Sequence, residues 1–304
     1  MKIDSHQHFW DYAAAPAHYS WIDENLSALR RKFSPEQLWH LLQQSGYVGT
    51  IAVQARETPE ETSYLLDLAA RHPFILGVVG WLDLCAPDIE GQLAIFAANP
   101  KLRGLRMQIH DRFDTDFAAS SSHVHGVSLL EHYALTYDLL LRPQHLDAAI
   151  RLVDRLPNQR FVVDHLAKPG HSDFEFWRAR ITAISKRPNV WCKLSGLVTE
   201  ADWTSWRKDE FAKLLEVVIA AFGPARCMIG SDWPVCTLAA DYRTTVQIIE
   251  NHCAALSATE RASIFGQTCL EFYNVARPAP ANPGVWRTQN HDLTPSLKPT
   301  LDKA

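Results

Sequence analysis

The sequence predicts one (β/α)8 barrel, the TIM barrel, as a single domain over residues 1–276. Three observations predict it. Short β-rich runs alternate with longer helical patterns eight times in about 275 residues, which is the arithmetic of that fold. Each run is apolar until its last residues, where a polar or charged side chain appears. No G-x-G-x-x-G or G-x-x-x-x-G-K-[ST] loop is present, so the glycine signature of a nucleotide-binding open sheet is missing.

The first strand covers residues 2–8, with β-branched Ile3 in an extended run. Period-two alternation puts Asp4, His6 and His8 on one face and Ser5 and Gln7 on the other. An aromatic loop follows, holding Trp10, Tyr12, Tyr19 and Trp21. Ser34-Pro35-Glu36-Gln37 then starts a helix: Ser34 is the N-cap, Pro35 the first helical residue, and Gln37 completes a capping box. Gly46 stops that helix. Residues 48–54 form the second strand, and Thr58-Pro59-Glu60-Glu61 opens the next helix by the same device. Strand three spans 74–82 and a helix 87–98; strand four spans 102–109 and a helix about 127–135. Strand five covers 137–142, followed by a helix from Pro143 to about Leu156. Strand six is 160–165 with a helix at 173–187, and strand seven is 190–195 with a helix at 207–222. Strand eight is 225–232, and helices at 239–254 and 258–273 close the domain. Residues 277–304 read as an extended, Pro-rich C-terminal tail.

Composition narrows the function. The chain has 304 residues, 47% of them hydrophobic, enough to bury a core without staples. A net charge of −4 and the lack of any basic run argue against nucleic acid or an anionic membrane as partner. No apolar segment is long enough to span a bilayer. The six cysteines form no C-x-x-C pair and read as small buried hydrophobes. With no signal sequence, cytoplasmic localisation is the expectation. A homo-oligomer is compatible with the sequence, and no organic cofactor is expected.

Polar residues gather where a barrel builds its active site, at the C-terminal ends of the strands. The ends carry His6 and His8; Gln54 and Arg56; Trp81 and Asp83; Arg106, Gln108 and His110; Arg142; Asp164 and His165; Lys193 and Ser195; Ser231 and Asp232. Contact with water accounts for one or two polar strand ends, not for eight. His6, His8, His165 and Asp232 lie on strands one, six and eight, and barrel closure makes strands one and eight neighbours. Imidazoles with a carboxylate suit one divalent, zinc-like ion with an open position for water. Without an ion, Asp232 serves as general base for water, and His165 orients it. Asp232 also suits a helix N-cap just past strand eight, since Pro234 follows. Arg106, Arg142 or Lys193 can stabilise an oxyanion or hold a polar substrate.

Three motifs carry a resemblance: Ile3-Asp4-Ser5-His6-Gln7-His8-Phe9-Trp10, Asp164-His165-Leu166-Ala167-Lys168-Pro169, and Gly230-Ser231-Asp232-Trp233-Pro234. In that order and at barrel spacing, they resemble the amidohydrolase-related family. More closely, they resemble its sugar-lactonase branch, which includes L-fuconolactonase and L-rhamnonolactonase. The resemblance implies ring-opening hydrolysis of a sugar lactone in carbohydrate catabolism, with His6, His8, His165 and Asp232 in the metal-type positions. The wider superfamily often adds a carboxylated lysine on strand four and a histidine on strand five. Here those strands offer Arg106, Gln108, His110 and Arg142, so the resemblance implies one ion at most. Some relatives, the pyrone-dicarboxylate lactonases, work without metal.

The expected catalytic residues are therefore Asp232, His165 and Arg106. The expected substrate-binding residues are Gln54, Trp81, Arg142, Lys168, Lys193 and Trp233, with Trp10 and Trp21 as further ring-stacking aromatics. The alternative enzyme is a metal-dependent decarboxylase of an aromatic or unsaturated acid. The non-enzymatic alternative is a sugar-acid binding protein.

Overall fold

A computed structural model describes residues 1–170 and 174–278. The expected tail from residue 279 onward lies outside the described residues. Eight parallel strands follow one another around the sheet in chain order. They are β1 (Lys2–Gln7), β2 (Tyr47–Val53), β3 (Ile75–Gly80), β4 (Leu102–Gln108), β5 (Thr136–Leu140), β6 (Phe161–Val163), β7 (Val190–Leu194) and β8 (Cys227–Ile229). The outer helices are α1 (Pro35–Ser45), α2 (Pro59–Arg71), α3 (Ile89–Phe96), α4 (Ser121–Ser128), α5 (Leu146–Arg155), α6 (Phe174–Ser185), α7 (Lys208–Phe222) and α8 (Tyr242–His252). Short helices α9 (Ala258–Ala262) and α10 (Thr268–Phe272) follow. This is the expected barrel in one domain.

Local chemistry sets the helix starts. Gln37 accepts from the Ser34 amide at 2.9 Å, and Gly46 ends α1 in the left-handed region at φ 76°. Thr58 caps α2 through the Glu61 amide, and Asp241 caps α8 through the Thr244 amide at 2.7 Å.

Among the described residues no ladder joins β1 to β8; the isolated bridge of Gln7 with Trp233 lies past the end of β8. The barrel closes through loop contacts instead. The His8 amide donates to the Trp233 carbonyl at 2.7 Å, and the Asp232 amide donates to the His6 carbonyl at 2.9 Å. The fully buried Asp4 carboxylate accepts from the Ser231 amide and hydroxyl. These contacts place His6, His8 and Asp232 side by side.

Several boundaries differ from expectation. The helix expected over 127–135 begins earlier, at Ser121, and gives way to 3-10 turns over Leu129–Tyr133. Its first turn looks like a polar loop, yet His123 is buried and holds the Tyr137 hydroxyl at 2.7 Å. β8 is shorter than expected, because Pro224–Arg226 form a 3-10 turn before it. The helix expected over 258–273 is broken by a π turn over Ser263–Gln267. β6 ends at Val163 because His165, Leu166, Ala167 and Lys168 are all left-handed, with φ of 52, 54, 60 and 50°. A left-handed non-glycine residue costs about 1 kcal/mol. The turn is fixed by complete burial of Leu166 and Ala167 and by the Trp177 indole N–H, which donates to the Leu166 carbonyl at 2.7 Å.

Between β1 and α1 the chain makes a long excursion of 3-10 turns, tied by the antiparallel pair Trp10–Asp11 and Lys32–Phe33. Five of the six cysteines are buried, and all six are free, as expected. Among the described residues no helix is long and apolar enough to cross a membrane.

Candidate active site

The strand ends of the barrel enclose a cavity of about 240 Å³. His8, Arg106, His165, Lys168 and Asp232 line it on the reactive side, with Gln108, His110 and Asp111 beside them. Trp21, Ala55, Leu140 and Val235 supply an apolar wall. Drug-sized ligands occupy roughly 300–1,000 Å³, so this cavity suits one small ring. A larger depression, about 490 Å³ along Glu200–Thr204, is shallow and open and holds no imidazole. The enclosed cavity is where the reactive groups converge.

His8 is oriented by its own backbone neighbourhood. Its Nδ1–H donates to the Val53 carbonyl at 2.8 Å, which turns Nε2 toward the cavity. That Nε2 lies 3.2 Å from His6 Nε2 and 3.3 Å from Asp232 Oδ1. Asp232 Oδ1 is also 3.9 Å from His6 Nε2 and 3.8 Å from His165 Nε2. His165 is set by the left-handed turn after β6 and by Ser195, whose hydroxyl meets its Nδ1 at 2.8 Å. Gly196 permits this: a Cβ there would sit 2.7 Å from the His165 ring.

Electrostatics sort the protons. Burial pushes the His165 and His6 rings well below the usual imidazole range, so both are neutral at pH 7. Burial works against the Asp232 charge, but His165 and His8 outweigh it and hold the carboxyl below its ordinary range. An ionised Asp232 carboxylate thus faces the neutral rings of His6 and His165.

Under this layer lies a buried ionic network. Lys193 pairs with Asp138 and, at 3.0 Å, with Asp164, and its Nζ is 3.2 Å from His6 Nδ1. Arg106 Nη1 reaches Asp164 at 3.0 Å and lies 3.3 Å from His6 Nε2. Its Nη2 donates to the Gln54 carbonyl. The Tyr273 hydroxyl donates to Asp138 at 2.8 Å. Burial raises the Asp138 carboxyl to about 6 despite the Lys193 charge.

The structure therefore gathers His6, His8, His165, Asp232, Arg106 and Lys168 at the cavity, with His6 just beneath its floor. Other expected substrate contacts lie elsewhere. Gln54 is fully buried, and its amide donates to the Arg106 carbonyl at 3.2 Å, so it braces Arg106 from behind. Lys193 is fully buried in the ionic network below His6. Trp233 packs against Phe9 and Phe33, and Trp10 against Phe33 and Tyr19, all within the core. Trp81 packs partly buried on the same core and is not on the cavity wall. Arg142 is not on the cavity wall; it lies 3.5 Å from Glu200, the partner of Lys168. Among the expected aromatics, Trp21 lines the cavity, held by its indole N–H to the Ala55 carbonyl at 3.0 Å. Glu200, Asp111 and Asp138 were not among the expected site residues. Glu200 and Asp111 sit in loops without periodic pattern, and Asp138 is hidden inside an apolar strand.

The donor atoms suit a divalent ion. Four-coordinate zinc with ligands at about 2.0–2.1 Å separates its donors by roughly 3.3 Å. His8 Nε2 lies at that spacing from both His6 Nε2 (3.2 Å) and Asp232 Oδ1 (3.3 Å), while the His6–Asp232 pair is wider at 3.9 Å. His6, Asp164 and His165 form a second cluster of potential donors.

A barrel with imidazoles and a carboxylate converging at its mouth defines a hydrolase class, and residues 3–275 match the amidohydrolase family. The chain belongs to that family and is a hydrolytic enzyme. It is 38% identical over 294 residues to an L-fucono-1,5-lactonase of Burkholderia multivorans, covering 92% of this chain and 98% of that protein. A crystal structure of an amidohydrolase from Burkholderia multivorans with bound zinc superposes with a TM-score of 0.87 at 37% identity, covering 91% of this chain and 100% of that one. A dihydroxybenzoic acid decarboxylase from Polaromonas sp. JS666, with bound manganese, superposes with a TM-score of 0.66 over 90% of this chain and 96% of that one. At 13% identity it shares the fold alone.

Proposed function

We propose that the protein opens the ring of a sugar aldono-lactone, such as L-fucono-1,5-lactone, to the hydroxy acid. The observation that carries this reading is the ionised Asp232 carboxylate set within 4 Å of the His6, His8 and His165 imidazoles at the base of a one-ring cavity. The similarity to an L-fucono-1,5-lactonase over nearly the full length supports the substrate class. The decarboxylase alternative has only fold-level likeness behind it.

Asp232 holds a water and takes its proton as the oxygen attacks the lactone carbonyl. Arg106 places a fixed positive charge on the cavity wall, where the carbonyl oxygen becomes anionic. His165 keeps Asp232 in position. The proton then passes to the ring oxygen as the acyl C–O bond breaks, giving carboxylic acid and alcohol. His6, His8 and Asp232 would hold a zinc-like ion, and such an ion, when bound, supplies Lewis acidity that makes water acidic near neutral pH. Gln108, His110 and Lys168 serve the substrate hydroxyls, and Trp21, Ala55, Leu140 and Val235 its apolar face.

The test is acid release from a panel of five- and six-membered aldono-lactones, each assayed with and without chelator. Release from none of them overturns the lactonase reading. Full activity after complete metal removal assigns water activation to Asp232 alone.

A further inference from the structure

Lys168, on the cavity wall, shares one carboxylate, Glu200, with Arg142 beside it. Lys168 Nζ lies 2.8 Å from Glu200 Oε1, and Arg142 Nη1 lies 3.5 Å from Glu200 Oε2. Each Glu200 oxygen thus faces one cation. Deeper in, Arg106 is already paired with Asp164, and the remaining wall charges are Asp111 and Asp232, both negative. Glu57, whose carboxylate accepts from the Gln108 amide at 3.1 Å, adds another negative group nearby. Among the described residues, Lys168, Arg142 and Arg106 each already face a carboxylate.

From this balance we infer that Glu200 is a specificity-determining residue, one that keeps the site selective for uncharged lactones and expels carboxylates. The inference rests on the lactonase reading above. Hydrolysis converts a neutral ring into an anion inside the cavity. With Glu200 in place that anion meets Asp232 and a rim where Glu200 and Asp111 together offset Lys168 and Arg142, and it leaves. Without the Glu200 charge, Lys168 and Arg142 become free to grip a carboxylate, whether on the product or on a lactone that already bears one. Glu200 reaches the substrate through Lys168 and Arg142 and takes no part in bond breaking.

The test compares wild type with Glu200→Gln, which keeps size and an acceptor for Lys168 but removes the charge. Calorimetry measures binding of a six-carbon aldonate anion at low and high salt. The expected result is about tenfold tighter anion binding in the variant, shrinking as salt is raised. In kinetics, kcat/KM should shift about tenfold toward a carboxylate-bearing lactone, such as a glucaro-lactone, relative to an uncharged one. Arg142→Gln should move anion binding in the opposite direction, which keeps the test open if Glu200→Gln folds poorly. Equal or weaker anion binding in a folded Glu200→Gln protein overturns the inference. So does anion binding in Arg142→Gln that matches wild type. If wild type opens no lactone, the lactonase reading fails, while the anion-binding comparison still decides the role of Glu200.

Discussion

The Asp4 carboxylate accepts the Ser231 backbone amide at 2.9 Å and the Ser231 hydroxyl at 2.6 Å, and so joins β1 to the segment just past β8, where a single bridge pairs Gln7 with Trp233. Ser231→Ala leaves one oxygen of a fully buried carboxyl with Tyr242 alone, at 3.2 Å. It also strips the Trp233 amide of its acceptor. The expected loss is about 2–3 kcal/mol. Urea unfolding should show a lower midpoint with an unchanged slope; an unmoved midpoint would contradict this account of closure.

Asp232→Asn keeps the shape of the proposed base and removes its proton affinity. The lactonase rate constant should fall about 10³-fold, with the unfolding midpoint close to wild type. Steady-state kinetics on a purified, folded variant check this. A variant that retains more than a tenth of the activity rules out Asp232 as the base.

Metal content separates ligands from bystanders. After chelation and dialysis, wild type should take up one zinc per chain, measured by elemental analysis. His8→Ala should take up none, since it removes a donor 3.2 to 3.3 Å from the other two. Full stoichiometry in His8→Ala would show that the ion sits elsewhere.

Glu61 fixes the start of the loop after β2. It accepts the Ala55 amide at 2.7 Å and Arg56 Nε at 2.9 Å, and burial raises its carboxyl from 4.5 to about 7. A folded pKa above the unfolded one means that the folded state holds the proton more tightly. The Glu61 contribution is complete below pH 4.5 and drains away as pH rises through about 7. Glu61→Gln cannot titrate. Relative to wild type it should gain stability between pH 5 and pH 8, on the order of 3 kcal/mol. Melting curves of both proteins at the two pH values give the answer, and a constant difference between them would refute the assignment.

Trp21 covers the apolar side of the cavity from the long β1–α1 excursion. Trp21→Ala removes packing against bound substrate and leaves Asp232 and the histidines in place. KM should rise about tenfold while kcat changes less than about threefold. A fall confined to kcat would place Trp21 in the chemistry instead.

Much of this architecture was legible in the sequence, because its signals are local. Strand runs, the Ser34 and Thr58 caps and the Gly46 stop act within a few residues, and the structure keeps them. The polar strand ends followed from period two and the rule that barrels work at their C-terminal mouths. Depth along a strand was not legible. Lys193 and Lys168 look equally suited to a substrate, yet one is locked under His6 by Asp138 across the barrel and the other reaches the mouth. Only strand register decides that. The α4 start was hidden by a histidine that proved buried, and the left-handed run after β6 by residues with no glycine to announce it.

That run has a consequence for how such a site diversifies. His165 and Lys168 hang from one rigid reversal, so the imidazole beside the base and the cation at the mouth shift as a single body. Glu200 stands on a different loop, after β7, and meets Lys168 and Arg142. Variation there can alter which molecules enter without disturbing the machinery that cleaves them. On the proposed lactonase reading, ligand choice at Glu200 and bond breaking at Asp232 would then be inherited on separate pieces of chain.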